Sequence, residues 1–167
     1  MTRRFVEKRS GGPWFGDGKA RILFEARALK YHPGLTGETI NYGPRSHRGR
    51  RYSVVLAVPH YDSRLIEIVF PVESPNRPNV TADGPTDSPH RFHDGRLCMW
   101  YPRDPVSAKW VVQDGLLSLL GMITAHLFRE AWWRDMDEWL GPVFDHGDRA
   151  KDMEGQVHHG SRNHRSR

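Results

Sequence analysis

Residues 90–100 read HRFHDGRLCMW, in which a polar segment with a central glycine runs directly into apolar residues. Cys98 is the only cysteine in the chain, so no disulfide bond can form within it. Two histidines and an aspartate precede Cys98 in this segment, and surroundings of this kind can lower the pKa of a thiol and favour the nucleophilic thiolate. Cys98 is therefore the first candidate for chemistry. The competing interpretation is a small buried side chain, because apolar residues flank it and cysteine is often buried.

The sequence before this segment predicts two strands and then a long loop. Residues 51–58 and 65–70 are rich in apolar and β-branched residues, and the Pro-His-Tyr-Asp-Ser turn between them indicates an antiparallel hairpin. The second strand ends at Pro71, and further prolines up to Pro89 exclude regular structure until the cysteine segment. Cys98 is thus expected to follow an extended loop.

A helix is predicted after the cysteine. Its apolar positions recur at spacings of four, three and four, which is typical of a helix with one buried face; they are Leu116, Leu120, Ile123 and Leu127. Asp114 stands where an N-cap belongs, and the helical pattern fades after residue 134. Strands followed by a loop and a helix indicate an α+β domain.

The N-terminal part of the chain predicts a further strand. Residues 20–29 place Ile22, Phe24 and Ala26 at alternate positions, as in a half-buried strand. Glycine and proline in residues 1–19 argue against a helix before it. Between this strand and the hairpin we expect a loop with a cluster of arginines at residues 45–51.

In this order of elements, the chain resembles the ubiquitin-conjugating enzyme family over roughly residues 52–134. In that family a His-Pro-Asn triplet places its asparagine eight positions before the catalytic cysteine, and a glycine lies three positions before it. Here Gly95 keeps its place, and His90 stands where the asparagine would be. Phe70-Pro71 looks like the strand-ending Phe-Pro of the family, and Trp110 is similar to the tryptophan before its central helix.

The resemblance implies an antiparallel β-meander, an extended active-site loop and a central α-helix within an α+β fold. It also implies thioester transfer, in which Cys98 accepts the C-terminal carbonyl of a ubiquitin-like protein from an activating enzyme and passes it to an amine, usually a lysine of a protein. His90 would stabilise the oxyanion or act as a base. Asp104 in the following loop could orient or deprotonate the amine, although only its position recommends it. We expect no cofactor and no metal.

The histidine variant is similar to bacterial members of the family, several of which are tied to antiphage defence. In some of those systems a related enzyme acts on the C-terminus of a nucleotidyltransferase, so the partner is either that C-terminus or a ubiquitin-like protein. The family usually opens with an amphipathic helix that contacts the activating enzyme, and such a helix is not expected here. A non-catalytic scaffold that binds a ubiquitin-like protein is the alternative function, because histidine replaces the asparagine.

Two other chemistries fit the residue types less well. His90, His93, Asp94 and Cys98 are acceptable zinc ligands, but their spacing is not that of a known closed site. A papain-like thiol protease would place its cysteine at the start of a helix, whereas Met99 and Trp100 follow here. We interpret His93 and Asp94 as solvated turn residues.

Length and charge agree with one domain that carries loose ends. A chain of 167 residues with 37% hydrophobic content can build one core, and we place it at residues 20–146, between a flexible basic segment at 1–19 and a flexible polar tail at 147–167. The net charge of +5 is concentrated near the two ends and in the arginine loop, as in solvated charge runs, so nucleic acid is not an expected partner. Neither a membrane span nor a signal peptide is recognisable, so we expect a cytoplasmic protein without a membrane partner.

Overall fold

The computed structural model describes residues 12–42, 47–100 and 104–141. The predicted tail at 147–167 and residues 1–11 of the predicted N-terminal segment lie outside these residues. The described part contains two α-helices and four strands, which confirms the α+β class. They are α1 (Gly18–Tyr31), β1 (Thr36–Tyr42), β2 (His47–Leu56), β3 (Arg64–Pro71), β4 (Asn79–Ala82) and α2 (Gly115–Met136).

The four strands form one antiparallel meander in the order β1-β2-β3-β4. The predicted hairpin is the β2–β3 pair, in which Val54 lies opposite Ile66. The expectation of no regular structure between Pro71 and the cysteine segment is wrong, because β4 lies there and pairs with β3, Val80 opposite Ile68. Along β3, Ile66 and Ile68 are fully buried while Leu65 and Glu67 face solvent. This alternation places one face of the sheet against the helices and the other in water.

The strand predicted at residues 20–29 is wrong, because these residues belong to α1. The carboxylate of Asp17 accepts hydrogen bonds from the backbone N–H groups of Lys19 and Ala20 and caps the helix. Phe24 and Ala28, one helical turn apart, are buried, whereas Ile22 is exposed. Gly16 therefore precedes the helix and Gly18 is its first residue, and the expectation that no helix comes before the sheet is also wrong.

The loop predicted before the hairpin is wrong, because β1 lies in it and pairs with β2. The arginine cluster lies largely in β2, which begins at His47. Arg50 is buried and donates to the Glu25 carboxylate of α1 at 2.8 Å. Arg51 pairs with Glu38 on the neighbouring strand β1. These two arginines connect β2 to α1 and β1, because each forms an ion pair with a carboxylate that is distant in sequence.

The core lies between the sheet and the two helices and is rich in aromatic rings. Phe24 of α1 packs edge-on against Phe70 of β3 at 5.6 Å between ring centroids, and Trp110 lies 5.9 Å from Phe70. Trp14 packs against Phe24 at 4.3 Å, and Phe15 beside it is buried. The packed structure therefore begins before residue 20.

Helix α2 carries the predicted apolar face, and all four positions named above are buried. The helix extends beyond the predicted end at residue 134 and finishes at Met136, where Asp137 adopts a left-handed conformation with φ 55°. Asp114 was predicted to cap α2, but its side chain makes no capping hydrogen bond to that helix. Instead, its carboxylate accepts a hydrogen bond from the N–H of Val111. None of the helices in the described residues is long and apolar enough to cross a membrane.

Candidate functional site

The segment that carries Cys98 forms a narrow hairpin. Arg91 and Leu97 face each other in an antiparallel bridge, and the N–H of Cys98 donates to the carbonyl of His90 at 2.9 Å. Gly95 provides the turn with φ 81°, a conformation that glycine adopts without strain. The N–H of Leu97 donates to the carbonyl of Val80 at 2.8 Å, which attaches the hairpin to β4. The predicted tight turn before the cysteine is therefore present.

Cys98 is half-buried in the wall of a cavity of about 620 Å³. The cavity lies between the loop after β3, the hairpin and the segment before α2. Its lining among the described residues consists of Ser74, Asn76, Arg77, Pro78, Asn79, Phe92, Arg96, Leu97, Cys98, Met99, Trp100, Lys109, Trp110 and Val111. Cys98 thus borders a space that can hold a few residues of an extended chain.

The pKa of the Cys98 thiol is raised, first by burial and then by the negative charge of Asp104. The predicted lowering of this pKa is therefore wrong. A buried thiol loses the solvation that stabilises its thiolate, and a carboxylate disfavours a second negative charge nearby. Near neutral pH Cys98 is consequently protonated, and it must lose its proton before or during any attack on a carbonyl.

The structure brings the backbones of His90 and Cys98 together, but the imidazole of His90 packs elsewhere. Its ring lies 4.1 Å from the indole of Trp139, centroid to centroid, and the residue is buried. His90 is not among the described residues that line the cavity around Cys98. Ser88 accepts a hydrogen bond from the N–H of His90 at 3.2 Å and fixes the backbone before the hairpin.

The other predicted site residues divide into one buried carboxylate and two exposed turn residues. Asp104 is buried and close enough to Cys98 to act on its pKa. His93 and Asp94 are exposed at the hairpin turn, where Asp94 pairs with Arg96. The four residues considered as zinc ligands do not assemble, and within the described ranges no group of three or more His, Cys, Asp or Glu side chains could hold a metal ion.

A buried ionic cluster beside the hairpin was not predicted. The guanidinium of Arg91 donates to both carboxylate oxygens of Glu130 on α2, each at 2.8 Å. His126, one turn earlier on α2, places Nε2 3.5 Å from Glu130 Oε1. The sequence contained a signal for this cluster. His126 comes three residues after Ile123, and Glu130 comes three residues after Leu127, so both lie on the apolar face of the helix. Polar residues on a buried face require a partner.

No protein-family model, curated protein or solved structure matches this chain. The interpretation of the site therefore depends on its geometry. In that geometry, a half-buried cysteine lies in a cavity wall at the end of a hairpin. Hydrogen bonds attach the hairpin to the sheet, and an ion pair attaches it to α2.

Proposed function

We propose that the protein is a ubiquitin-conjugating-like transferase. Cys98 carries the C-terminal carbonyl of another protein as a thioester and transfers it to an amine. The single observation that carries the proposal is the placement of the only thiol of the chain in the wall of a cavity of about 620 Å³. A protein C-terminus can enter such a cavity as an extended chain and present its last carbonyl to Sγ.

The arrangement of elements around Cys98 supports this proposal. A helix and an antiparallel meander come first, a loop over residues 83–90 and the cysteine hairpin follow, and α2 comes after them. Phe70 at the end of β3 is buried against Trp110, whose indole N–H donates to the carbonyl of Gly115 at the start of α2. These are the positions at which the family resembled by the sequence has its Phe-Pro and its tryptophan.

The transfer consists of two balanced steps. In the first, the Cys98 thiolate attacks the thioester carbonyl of the donor, a new S–C bond forms, the S–C bond to the activating enzyme breaks, and the thiolate of that enzyme leaves and takes up the proton that Cys98 lost. In the second, an amine attacks the Cys98 thioester, an amide bond forms, and the Cys98 thiol is released. Each attack passes through an oxyanion that a hydrogen-bond donor would stabilise.

The raised pKa of Cys98 suits a carrier of this kind. A thiol with a high pKa is a poorer leaving group than one with a low pKa, so its thioester survives longer before an amine arrives. A thiol protease or a redox cysteine instead benefits from a lowered pKa. The environment made by burial and Asp104 therefore favours a stored acyl group over rapid turnover with water.

The test is formation of a thiol-sensitive adduct. The donor is a ubiquitin-like protein or the C-terminus of a nucleotidyltransferase, with the activating enzyme and ATP where these are needed. We expect wild type to form an adduct that reducing agent removes, Cys98→Ala to form none, and Cys98→Ser to form an ester that resists thiols. An adduct that persists in Cys98→Ala would exclude Cys98 as the carrier. The reducing cytoplasm, where such a thiol stays free, is the proposed location.

A non-catalytic scaffold of the same architecture is the second candidate. The observation that favours it is the packing of the His90 ring on Trp139, away from the described lining of the Cys98 cavity. A scaffold would bind the same donor with equal affinity in wild type and Cys98→Ala, and wild type would form no adduct.

A further inference from the structure

The cavity around Cys98 has an uneven charge. Among the described lining residues, three carry positive side chains and none carries a carboxylate; the three are Arg77, Arg96 and Lys109. Lys109 has an interaction partner of its own, and Asp104, which acts on the pKa of Cys98, lies close by but outside this lining. The adjoining lining is apolar and includes the rings of Phe92, Trp100 and Trp110. A cavity with this lining favours an extended ligand that has negative side chains and an uncharged backbone.

Arg96 is held in place on the hairpin. Its Nε donates to Asp94 at 2.6 Å and its Nη1 donates to the side chain of Asn79 at 2.7 Å. The guanidinium also lies 5.1 Å from the centre of the Phe92 ring. Asp94 offsets part of the charge of Arg96. Arg96 therefore contributes mainly a hydrogen-bond donor in a fixed position, and little free positive charge.

Arg77 provides the uncompensated charge. The residue is exposed, and within the described residues its guanidinium makes no hydrogen bond and no ion pair. Two successive turns fix its backbone, since Ser74 donates to the carbonyl of Pro71 and Arg77 donates to that of Ser74. The indole of Trp14 holds the same loop through a 2.6 Å hydrogen bond to the carbonyl of Pro75. The position of the Arg77 backbone beside the cavity is therefore set by the fold.

From these contacts we infer that the cavity selects a donor whose C-terminal tail carries acidic side chains a few residues before its terminal carbonyl. This inference rests on the proposed function, because it identifies the class of acyl donor that Cys98 accepts. Arg77 and Arg96 bind the acidic side chains, the aromatic rings pack on the tail, and the terminal carbonyl reaches Sγ. Attraction of this kind raises the rate of productive encounter and weakens as salt increases.

The experiment uses synthetic hexapeptide S-ethyl thioesters that end in Gly-Gly. They differ only in two upstream residues, which are glutamate, glutamine or arginine. The Cys98 thiolate attacks the thioester carbonyl, the S–C bond to Cys98 forms, and ethanethiol leaves with a proton. Intact mass measures the rate of charging of the full-length protein, and Cys98→Ala gives the background. The uncharged leaving group ensures that only the tail carries the charge difference.

We expect the glutamate peptide to charge Cys98 about tenfold faster than the arginine peptide at low salt, a factor that a few partly screened charge pairs can supply. The difference should nearly disappear at 1 M salt, where the screening length is about 3 Å. Arg77→Glu should abolish or reverse the preference. The matched control is Arg27→Glu, which makes the same change of charge at an exposed position on α1 and should leave the preference unchanged.

The outcomes separate this inference from the proposed function. If none of the peptides charges Cys98 above the Cys98→Ala background, the proposed function fails and the inference fails with it. If all three charge Cys98 at the same rate, thioester formation stands and the selectivity is wrong. If Arg27→Glu reduces the preference as much as Arg77→Glu, the net charge of the protein is responsible rather than the cavity.

A nucleic-acid ligand would give a different result. Fluorescence anisotropy of the labelled glutamate peptide, as its free acid, on Cys98→Ser measures binding without chemistry, and a ten-nucleotide single strand serves as competitor. We expect the strand to compete no better than a glutamine peptide of the same length. Tight binding of the strand that Arg77→Glu removes would identify a nucleic-acid site and overturn the inference.

Discussion

Arg91 and Glu130 form a bidentate ion pair that is almost completely buried, with side chains 2% and 1% exposed. Arg91 belongs to the hairpin that ends at Cys98, and Glu130 lies near the C-terminal end of the central helix α2. Arg91 Nη1 also donates to the carbonyl of Gly95 at 3.1 Å, which supports the turn. The pair thus fixes the hairpin to α2, and the position of the candidate nucleophile depends on it.

Removal of one partner of this pair should be costly. We expect Arg91→Met to lower the free energy of unfolding by about 3–5 kcal/mol, because it leaves the Glu130 carboxylate buried without its main partner. The double variant Arg91→Met/Glu130→Leu should be more stable than Arg91→Met, since no uncompensated charge remains. Urea denaturation followed by circular dichroism measures both. A loss below about 1 kcal/mol in Arg91→Met would show that water, or Arg134, whose Nη2 lies 3.8 Å from Glu130 Oε2, compensates the buried carboxylate.

The free energy of unfolding should also depend on pH in the acidic range, because Glu130 titrates there. Burial by itself raises the pKa of this carboxyl, but Arg91 and His126 outweigh that effect and lower the pKa to about 2. Its pKa in the unfolded chain is about 4.3, so the unfolded state binds more protons at acid pH. The contribution of Glu130 to stability is therefore present above about pH 5 and is lost as the pH falls toward 2.

The measurement is the urea midpoint of wild type and Glu130→Gln across this pH range. Wild type should lose stability more steeply than the variant, because only wild type has the carboxylate to protonate. Parallel curves would show that other carboxylates cause the acid dependence.

The thiol of Cys98 should react slowly at neutral pH. Burial and the charge of Asp104 raise its pKa, so the rate of alkylation by iodoacetamide should reach half its maximum at a pH above that of a free cysteine peptide. Asp104→Asn should shift this midpoint to lower pH, because it removes the negative charge. If the midpoint of the wild-type protein lies at or below that of the free cysteine peptide, the pKa of Cys98 is not raised.

The oxyanion role of His90 stays a prediction from the sequence, because its ring packs on Trp139 outside the described lining of the cavity, and its effect should appear in the second step of transfer. We expect His90→Ala to slow discharge of the Cys98 thioester to an amine about 100-fold or more, as for the loss of one such donor, with little change in charging. His90→Asn should restore part of the rate, since an amide supplies a donor. Thermal stability must be matched, because the ring packs on Trp139.

Two results would assign His90 a packing role only. One is discharge by His90→Ala at the wild-type rate. The other is discharge by His90→Asn no faster than by His90→Ala. In either case the contact with Trp139 accounts for the residue.

The sequence alone was sufficient for the β2–β3 hairpin and the buried face of α2. In each, a local pattern has one physical interpretation, such as apolar residues at helical spacing. The expectation that prolines exclude regular structure after β3 was wrong, because β4 lies between Pro78 and Pro85, where no proline removes a backbone donor. Helix α1 was misinterpreted because Ile22, Phe24 and Ala26 fit the period of a strand, while the structure buries Phe24 with Ala28. Only packing against the core decided which of these positions face inward.

For the candidate site too, some features could be predicted from the sequence and others required the tertiary structure. The sequence identified Cys98 and the turn before it, because a unique thiol and a glycine are visible in the chain itself. The direction of the pKa shift, the contact of His90 with Trp139 and the ion pair of Arg91 with Glu130 required the tertiary structure. Solvation and charge act through space, between groups that folding brings together, so residues that are neighbours along the chain could not reveal them.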